Sequence, residues 1–514
     1  MNHINDKLYI LLVSVHGLIR GQDLELGRDA DTGGQTKYVV ELLRELGEWA
    51  EVEQAVLLTR RIVDAGISED YSEPVERLSD KTRIIRIDCG EEGYLPKEAL
   101  WDSLDNFADN ALEYLTSQER LPDIIHSHYA DAGYVCKRIS LQLNIPLIHT
   151  GHSLGRSKRK QLLAGGMKRD IIEQRYNISR RIDAEEEVLG TAEYIITSTR
   201  QEIVEQYGMY DYYQPERMKV IPPGTDLEKF YPPQGDEHDS VIYHDISRFL
   251  QAPDKPIILA LSRPDHRKNI NTLVEAYGES EELQQLANLL IIAGNRDEIR
   301  DMDSGIQDVL TEIFLSIDCY DLYGKVAYPK HHGSEEVPVI YRLTAASGGV
   351  FVNPALTEPF GLTLIEAAAS GLPIVATEDG GPTDIIDNCH NGYLVDPLDK
   401  HAIVEMLLKV LDDRDNWKQL ARNGIDGVRQ HYSWHSHAEK YLKLIRPLAD
   451  RSESISRIEL KRRPMLYHDR ALITDLDQNL LGNPESLQEF VRVLQDNRKC
   501  TTFGIATGRR LDSA

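Results

Sequence analysis

Cysteine is scarce in this chain: Cys89, Cys136, Cys319, Cys389 and Cys500 lie far apart among 514 residues, and no Cys-x-x-Cys occurs. An odd, scattered set suits neither a disulfide framework nor a zinc cage, so the five read as reduced thiols of a cytoplasmic protein. Long apolar runs are also missing. The run Leu8–Val15 is too short to span a bilayer, and no cationic stretch precedes it as a secretion signal requires. Positive charge is in deficit, with 58 Lys and Arg against 84 Asp and Glu and a net charge of -26. That balance argues against nucleic acid or an anionic membrane as partner. Local Lys/Arg clusters then stand out as places where an acidic chain collects anions.

What is present is alternation. Apolar segments at Leu8–Val15, Ala55–Leu58, Arg83–Ile87, Asp123–Ser127, Pro146–His149 and Tyr194–Thr197 are separated by amphipathic stretches, the first at Gly34–Ala50. A doubly wound parallel sheet is expected from such a pattern. The run beginning at Met218, closed by Pro222, Pro223 and Gly224, ends this set, and a polar segment at 231–255 reads as an insertion with one short helix. A second set follows at Pro256–Leu261, Leu289–Ala293, Val350–Val352, Pro373–Ala376 and Gly392–Val395. Two tandem sheets imply a cleft between them. The expected division is a first domain over 1–230 completed by a crossing helix near 434–450, a second domain over 256–433, and a linker and tail over 451–514.

The most informative stretch is Asn353-Pro-Ala-Leu-Thr-Glu358-Pro-Phe360-Gly361-Leu362-Thr-Leu-Ile-Glu366, which follows an apolar strand and runs into an Ala-rich helix. Glu358 falls in a strand-to-helix loop, where open α/β sheets bind ligands, and Glu366 falls on the helix. A bare pair of glutamates reads first as solvated surface. Here Pro359 and Gly361 shape the turn, and the helix amides after Gly361 can meet an anion. Gly33 and Gly34 open the first helix in a similar way. Ser262-Arg263-Pro264-Asp265-His266-Arg267-Lys268 follows a strand and offers two cations suited to clamping a diphosphate. His149-Thr-Gly-His152-Ser-Leu-Gly-Arg156-Ser-Lys158 brings a histidine and cations to another strand end, with Arg180 and Arg181 following. His331 and His332 are adjacent on a loop, point in different directions, and read as surface.

The setting EPFGLTLIEAAASGLPIVAT, followed by Gly380-Gly381-Pro382-Thr-Asp384, resembles the donor-sugar motif of retaining nucleotide-sugar glycosyltransferases of the GT-B fold. The run GHSLGRSK resembles the acceptor motif of the sucrose-phosphate synthases. These resemblances imply two Rossmann-like domains facing a cleft. They imply glucose transfer from UDP-glucose to fructose 6-phosphate, with ADP-glucose and GDP-glucose open as donors, retention of configuration and no cofactor. The family's donor roles carry over onto Gly33, Gly34, Arg263, Lys268, Glu358, Phe360, Gly361, Leu362 and Glu366, with His152 beside the glucose. Its acceptor roles carry over onto Gly34, Gln35, Lys158 and one arginine of the Arg180-Arg181 pair, with Arg180 taken as the contact. Sucrose synthase on free fructose is the nearest alternative, and a phosphatase or a non-catalytic sugar-phosphate-binding protein stands further off.

After Arg451 the chain turns basic and polar, then gives Asp475-Leu-Asp477 and later Gly504-Ile-Ala-Thr507-Gly508. These resemble the first two motifs of haloacid-dehalogenase-type sucrose-phosphate phosphatases, with Mg2+ possible only at Asp475 and Asp477. Asn479 stands where active members of that family usually carry Thr, and the sequence contains no later metal-binding carboxylates of that fold. The tail is therefore expected to lack phosphatase activity, and association with a separate phosphatase is the partner it suggests.

Overall fold

A computed structural model describes residues 7–25, 28–29, 31–450, 470–474, 484–497 and 501–505. The first sheet contains β1 (Leu8–Val13), β2 (Val52–Arg60), β3 (Val75–Arg77), β4 (Thr82–Ile87), β5 (Ile124–His128), β6 (Leu147–Thr150), β7 (Tyr194–Thr197) and β8 (Met218–Val220), in the order β3-β4-β2-β1-β5-β6-β7-β8. Every pairing is parallel except β3 with β4. Alternate residues of β1 enter opposite cores, Leu8, Ile10 and Leu12 on one face and Tyr9, Leu11 and Val13 on the other. Full burial of such aliphatic side chains contributes about 1.5–3 kcal/mol each.

The second sheet is wholly parallel: β9 (Ile257–Leu261), β10 (Asn288–Ile292), β11 (Val326–Ala327), β12 (Val350–Asn353), β13 (Ile374–Thr377) and β14 (Gly392–Val395), in the order β11-β10-β9-β12-β13-β14. Chain order reverses between β1 and β5 in one sheet and between β9 and β12 in the other. Crevices at the carboxyl ends of those pairs are where doubly wound sheets bind ligands.

The helix Trp434–Ala449 returns to the first sheet, where Trp434, Tyr441, Leu442 and Ile445 are buried with Leu8, Ile10 and Leu12. Exit and return lie side by side, because Thr225 N donates to Tyr432 O at 2.7 Å and Thr225 bridges Ser433. A Cβ on Gly224 would lie 2.4 Å from the amide nitrogen of Trp434.

Some edges differ from the sequence expectation. β1 stops at Val13, so Ser14, Val15 and His16 begin the loop. β3 and β11 carry too little apolar pattern to be seen, one being a charged antiparallel edge strand of three residues and the other only two residues long. In the tail, β15 (Arg470–Thr474) and β16 (Thr501–Ile505) pair in parallel around the helix Pro484–Asn497. Asp475, Asp477 and Thr507 lie outside the described residues.

Candidate active site

At the carboxyl ends of β9 and β12, two loops face each other. The loop after β9 carries Arg263 to Lys268, and Asn269, in the left-handed region, sends its side-chain amide to the carbonyls of Pro354 and Pro397 at 3.0 and 2.8 Å. That anchors Lys268, whose Nζ meets Glu358 Oε2 at 2.6 Å; Asn353 donates to the same oxygen at 3.0 Å. Glu358 is thus buried, paired and oriented. Arg267 is spent on Asp265, which its side chain holds down at a pKa of about 2. Arg263 is exposed and makes no ion pair among the described residues, so it is free to meet an anion.

The Glu-Pro-Phe-Gly loop is laced to the Gly-Gly-Pro loop through backbone. Glu358 N donates to Asp379 O and Gly381 N donates to Glu358 O, at 3.0 and 2.9 Å. A Cβ at Gly380 would sit 2.1 Å from Glu358 O, and one at Gly381 2.2 Å from Phe360 O, so both positions require glycine. Gly361, at φ +98, caps the helix Leu362–Ala369 without a side chain; Leu364 N and Ile365 N donate to Gly361 O, so the amides of Leu362 and Thr363 precede the helix's own bonds. Leu362 is exposed at the start of that turn. Glu366, one turn further on, accepts from Tyr341 Oη at 3.3 Å; burial pushes its carboxyl up to about 7, with Lys37 of the first sheet's helix opposing the rise.

The facing half is built on β1, β5 and β6. Gly33 caps the helix Gly34–Glu48 with no side-chain bond, and a Cβ at Gly33 or Gly34 would meet nothing within 4 Å. Gly33 is half-buried and Gly34 exposed, so the start of this helix is open to an approaching anion. Gln35 donates to Ser14 Oγ at 3.0 Å. His152, at φ +56, meets His128 Nδ1 through Nε2 at 3.0 Å and packs edge-on against Tyr38. Burial and the neighbouring histidines hold its pKa near 3, so His152 is neutral near pH 7 and can only exchange neutral hydrogen bonds there.

Lys158 lies on the first turns of the helix Gly155–Ala164, with its ammonium 3.6 Å from Glu98 and 4.0 Å from the Tyr176 ring centroid. Burial lowers its pKa, against the pull of Glu98. The cleft around Lys158 is lined by Lys97, Glu98, Trp101, Tyr129, Tyr176 and Arg181 among others. Arg180 is not in that lining. Its side chain keeps 44% of its exposure and points to Asp102, whereas Arg181 is 4% exposed, bound to Glu185 at 2.9 Å and stacked 4.4 Å over Tyr129. Arg181 therefore lines this cleft and Arg180, the arginine expected from sequence, lies outside it against Trp101 and Asp102, because successive helix positions point about 100° apart.

Several residues here escaped the sequence reading. His16 Nδ1 and Asp131 Oδ2 lie 2.7 Å apart and are both buried. Tyr129 has φ +77, a costly conformation for an aromatic residue, and fits edge-on against His16. Lys97 is tied to Asp31. Only an acid in the first turn after β5 hinted at Asp131; nothing linear joins His16, Lys97 and Tyr129. His331, expected at the surface, is exposed and 3.3 Å from Asp297. Among the described residues no group of ligating side chains is arranged to hold a metal ion, and no helix is long and apolar enough to cross a membrane.

Family models match three stretches: glycosyl transferases group 1 over residues 244–426, the first GT-B domain of sucrose synthase over 1–225, and sucrose-6F-phosphate phosphohydrolase over 468–514. The maize protein named sucrose-phosphate synthase is 47% identical over 502 residues, covering 85% of this chain and 47% of that protein. Sucrose-phosphate synthase 4 of Arabidopsis thaliana is 46% identical, covering 88% of this chain and 49% of that protein. The chain spans about half the length of the curated relatives it matches. Among solved structures, sucrose-phosphate synthase from Thermosynechococcus elongatus aligns with TM-score 0.63 and 27% identity, over 86% of this chain and 99% of that one. The catalytic domain of Arabidopsis starch synthase IV, at TM-score 0.58 and 14% identity over 87% of this chain and 100% of that one, shares the fold. The chain therefore has the GT-B fold of the glycosyltransferases, and its sequence places it among the relatives of sucrose-phosphate synthase.

Proposed function

We propose that the chain transfers glucose from UDP-glucose to the 2-hydroxyl of fructose 6-phosphate, giving sucrose 6-phosphate with the anomeric configuration retained. The bond from glucose C1 to the diphosphate oxygen breaks as a bond from C1 to the acceptor oxygen forms on the same face, and the hydroxyl proton passes to the departing diphosphate. Arg263, Lys268 and the amides after Gly361 stabilise that leaving group. Glu358 holds glucose hydroxyls beside His152, and Glu366 holds the ribose. Lys158 and Arg181 hold the acceptor phosphate, and closure of the two sheets' loops excludes water. The transfer draws on protein charges alone, so a chelator should leave it unchanged.

The observation that carries this reading is the cleft where Lys158 and Arg181 converge in a chain of net charge -26. A phosphorylated acceptor matches it, and a neutral sugar does not. The match to the sucrose synthase model makes free fructose the rival acceptor. Nucleoside diphosphate release from UDP-glucose, measured in parallel with fructose 6-phosphate and fructose and repeated with ADP-glucose and GDP-glucose, separates them. Release that depends on the phosphorylated acceptor supports the synthase reading; equal release with fructose overturns it. The tail's match to a phosphohydrolase model supports association with a phosphatase acting on the product, which a pull-down with that enzyme class tests.

A further inference from the structure

The cleft around Lys158 has an accessible volume of about 10 Å³, room for roughly one water. A phosphoryl group is larger, so a side chain on the cleft wall that can turn aside would make room for one.

The cations differ in how they are held. Arg181 is tied to Glu185 and to the carbonyl of Ser153, and Lys97 to Asp31. Among the described residues Lys158 has one carboxylate partner, Glu98, at 3.6 Å, and Glu98 also lies 4.0 Å from Lys97. The acids differ in the same way. Asp131 is buried, bound to His16 and to the amide of Ala132. Glu98 keeps 26% of its side-chain exposure, and among the described residues only Lys158 and Lys97 approach its carboxylate, at 3.6 and 4.0 Å, so it can turn to solvent by rotating its own torsions.

Resting on the reading above, we propose that Glu98 sets the acceptor affinity as an internal competitor: its carboxylate neutralises Lys158 and Lys97 in the free protein, and an acceptor phosphate displaces it toward solvent. A dianion can replace a monoanion between two ammonium groups, whereas a neutral sugar offers Lys158 nothing in exchange. The same carboxylate favours departure of the phosphorylated product by returning to the lysines.

Glu98→Gln keeps the shape and removes the competitor. The KM for fructose 6-phosphate should fall roughly fivefold, the factor that corresponds to the upper range of a partly exposed ion pair, with no matching gain in kcat. Glu98→Asp, which keeps the charge on a shorter arm, should fall between the two. Calorimetric titration of fructose 6-phosphate into each full chain should show the same tightening, and inorganic phosphate used as the probe should follow it. An unchanged or raised KM in Glu98→Gln, with unchanged titrations, overturns the proposal and assigns Glu98 to holding Lys158 in place. Wild-type chain that releases no nucleoside diphosphate with fructose 6-phosphate refutes the synthase reading instead; the phosphate titration still decides whether Glu98 competes.

Discussion

Replacing Lys158 by alanine separates the acceptor chemistry from the stability of the fold. In the free protein its ammonium pairs with a partly exposed carboxylate at 3.6 Å and lies over Tyr176 at 4.0 Å. These contacts contribute about 0.2–1 and about 0.5–1 kcal/mol, so the variant should fold. A charge-assisted hydrogen bond to phosphate contributes about 1.5–3 kcal/mol, which corresponds to roughly a 10- to 100-fold rise in the KM for fructose 6-phosphate. Slow turnover of free fructose, if any is measured, should change less than about twofold, since fructose has no phosphate to lose. Arg180→Ala is the control: Arg180 faces an exposed aspartate, so the KM should stay as in wild type. Arg181→Ala is a poorer probe, because it leaves Glu185 buried without its cation, at a cost of about 3–5 kcal/mol. Initial rates of nucleoside diphosphate release over a range of fructose 6-phosphate decide the matter. An unchanged KM in Lys158→Ala, or a rise in Arg180→Ala as large as that in Lys158→Ala, refutes the reasoning.

Four other outcomes follow from the geometry. Lys268→Met leaves Glu358 without its 2.6 Å cation and should lower kcat at least about 100-fold in the same assay. Gly380→Ala drives a methyl into Glu358 O and imposes a side chain at φ +110, so thermal unfolding should drop by several degrees and UDP binding should be lost in calorimetry. Glu366, with its carboxyl near 7, becomes a better acceptor for ribose hydroxyls as pH rises through 7; UDP affinity should therefore increase from pH 6 to 8, and the trend should flatten in Glu366→Gln. His149 and His152 near 3 and His437 near 4 stay neutral in the fold while the unfolded chain protonates near 6.5. Their stability contribution is present above 6.5 and lost as pH falls toward 3. The urea midpoint should therefore be lower at pH 5 than at pH 7, although Glu202 and Glu366, both raised to about 7, oppose the change.

Most of the framework was legible because parallel strands buried on both faces write themselves as apolar runs. β7 and β14 begin and end where the sequence pattern places them, and most of the other long runs shift by one or two residues. The short, charged β3 and the two-residue β11 had no such signature. Residues close in sequence were legible too: Glu358, Gly361 and Glu366 share a loop and a helix, and their spacing alone put them at one strand end.

By itself the sequence determined that the chain has two tandem α/β sheets, which loops lie at their carboxyl ends, and that Arg263, Lys268 and a pair of glutamates stand on those loops and the helix after them. Those conclusions need only local periodicity and adjacency. The tertiary structure decided which of two neighbouring arginines faces the cleft, that Glu98 and Lys97 flank Lys158, and that His16 meets Asp131 across 115 positions. It also decided why Gly380 and Gly381 are glycines, since the backbone that a Cβ would strike belongs to another loop. Helical rotation separates Arg180 from Arg181, and strand order brings the others together; neither is written in the identity of any one residue.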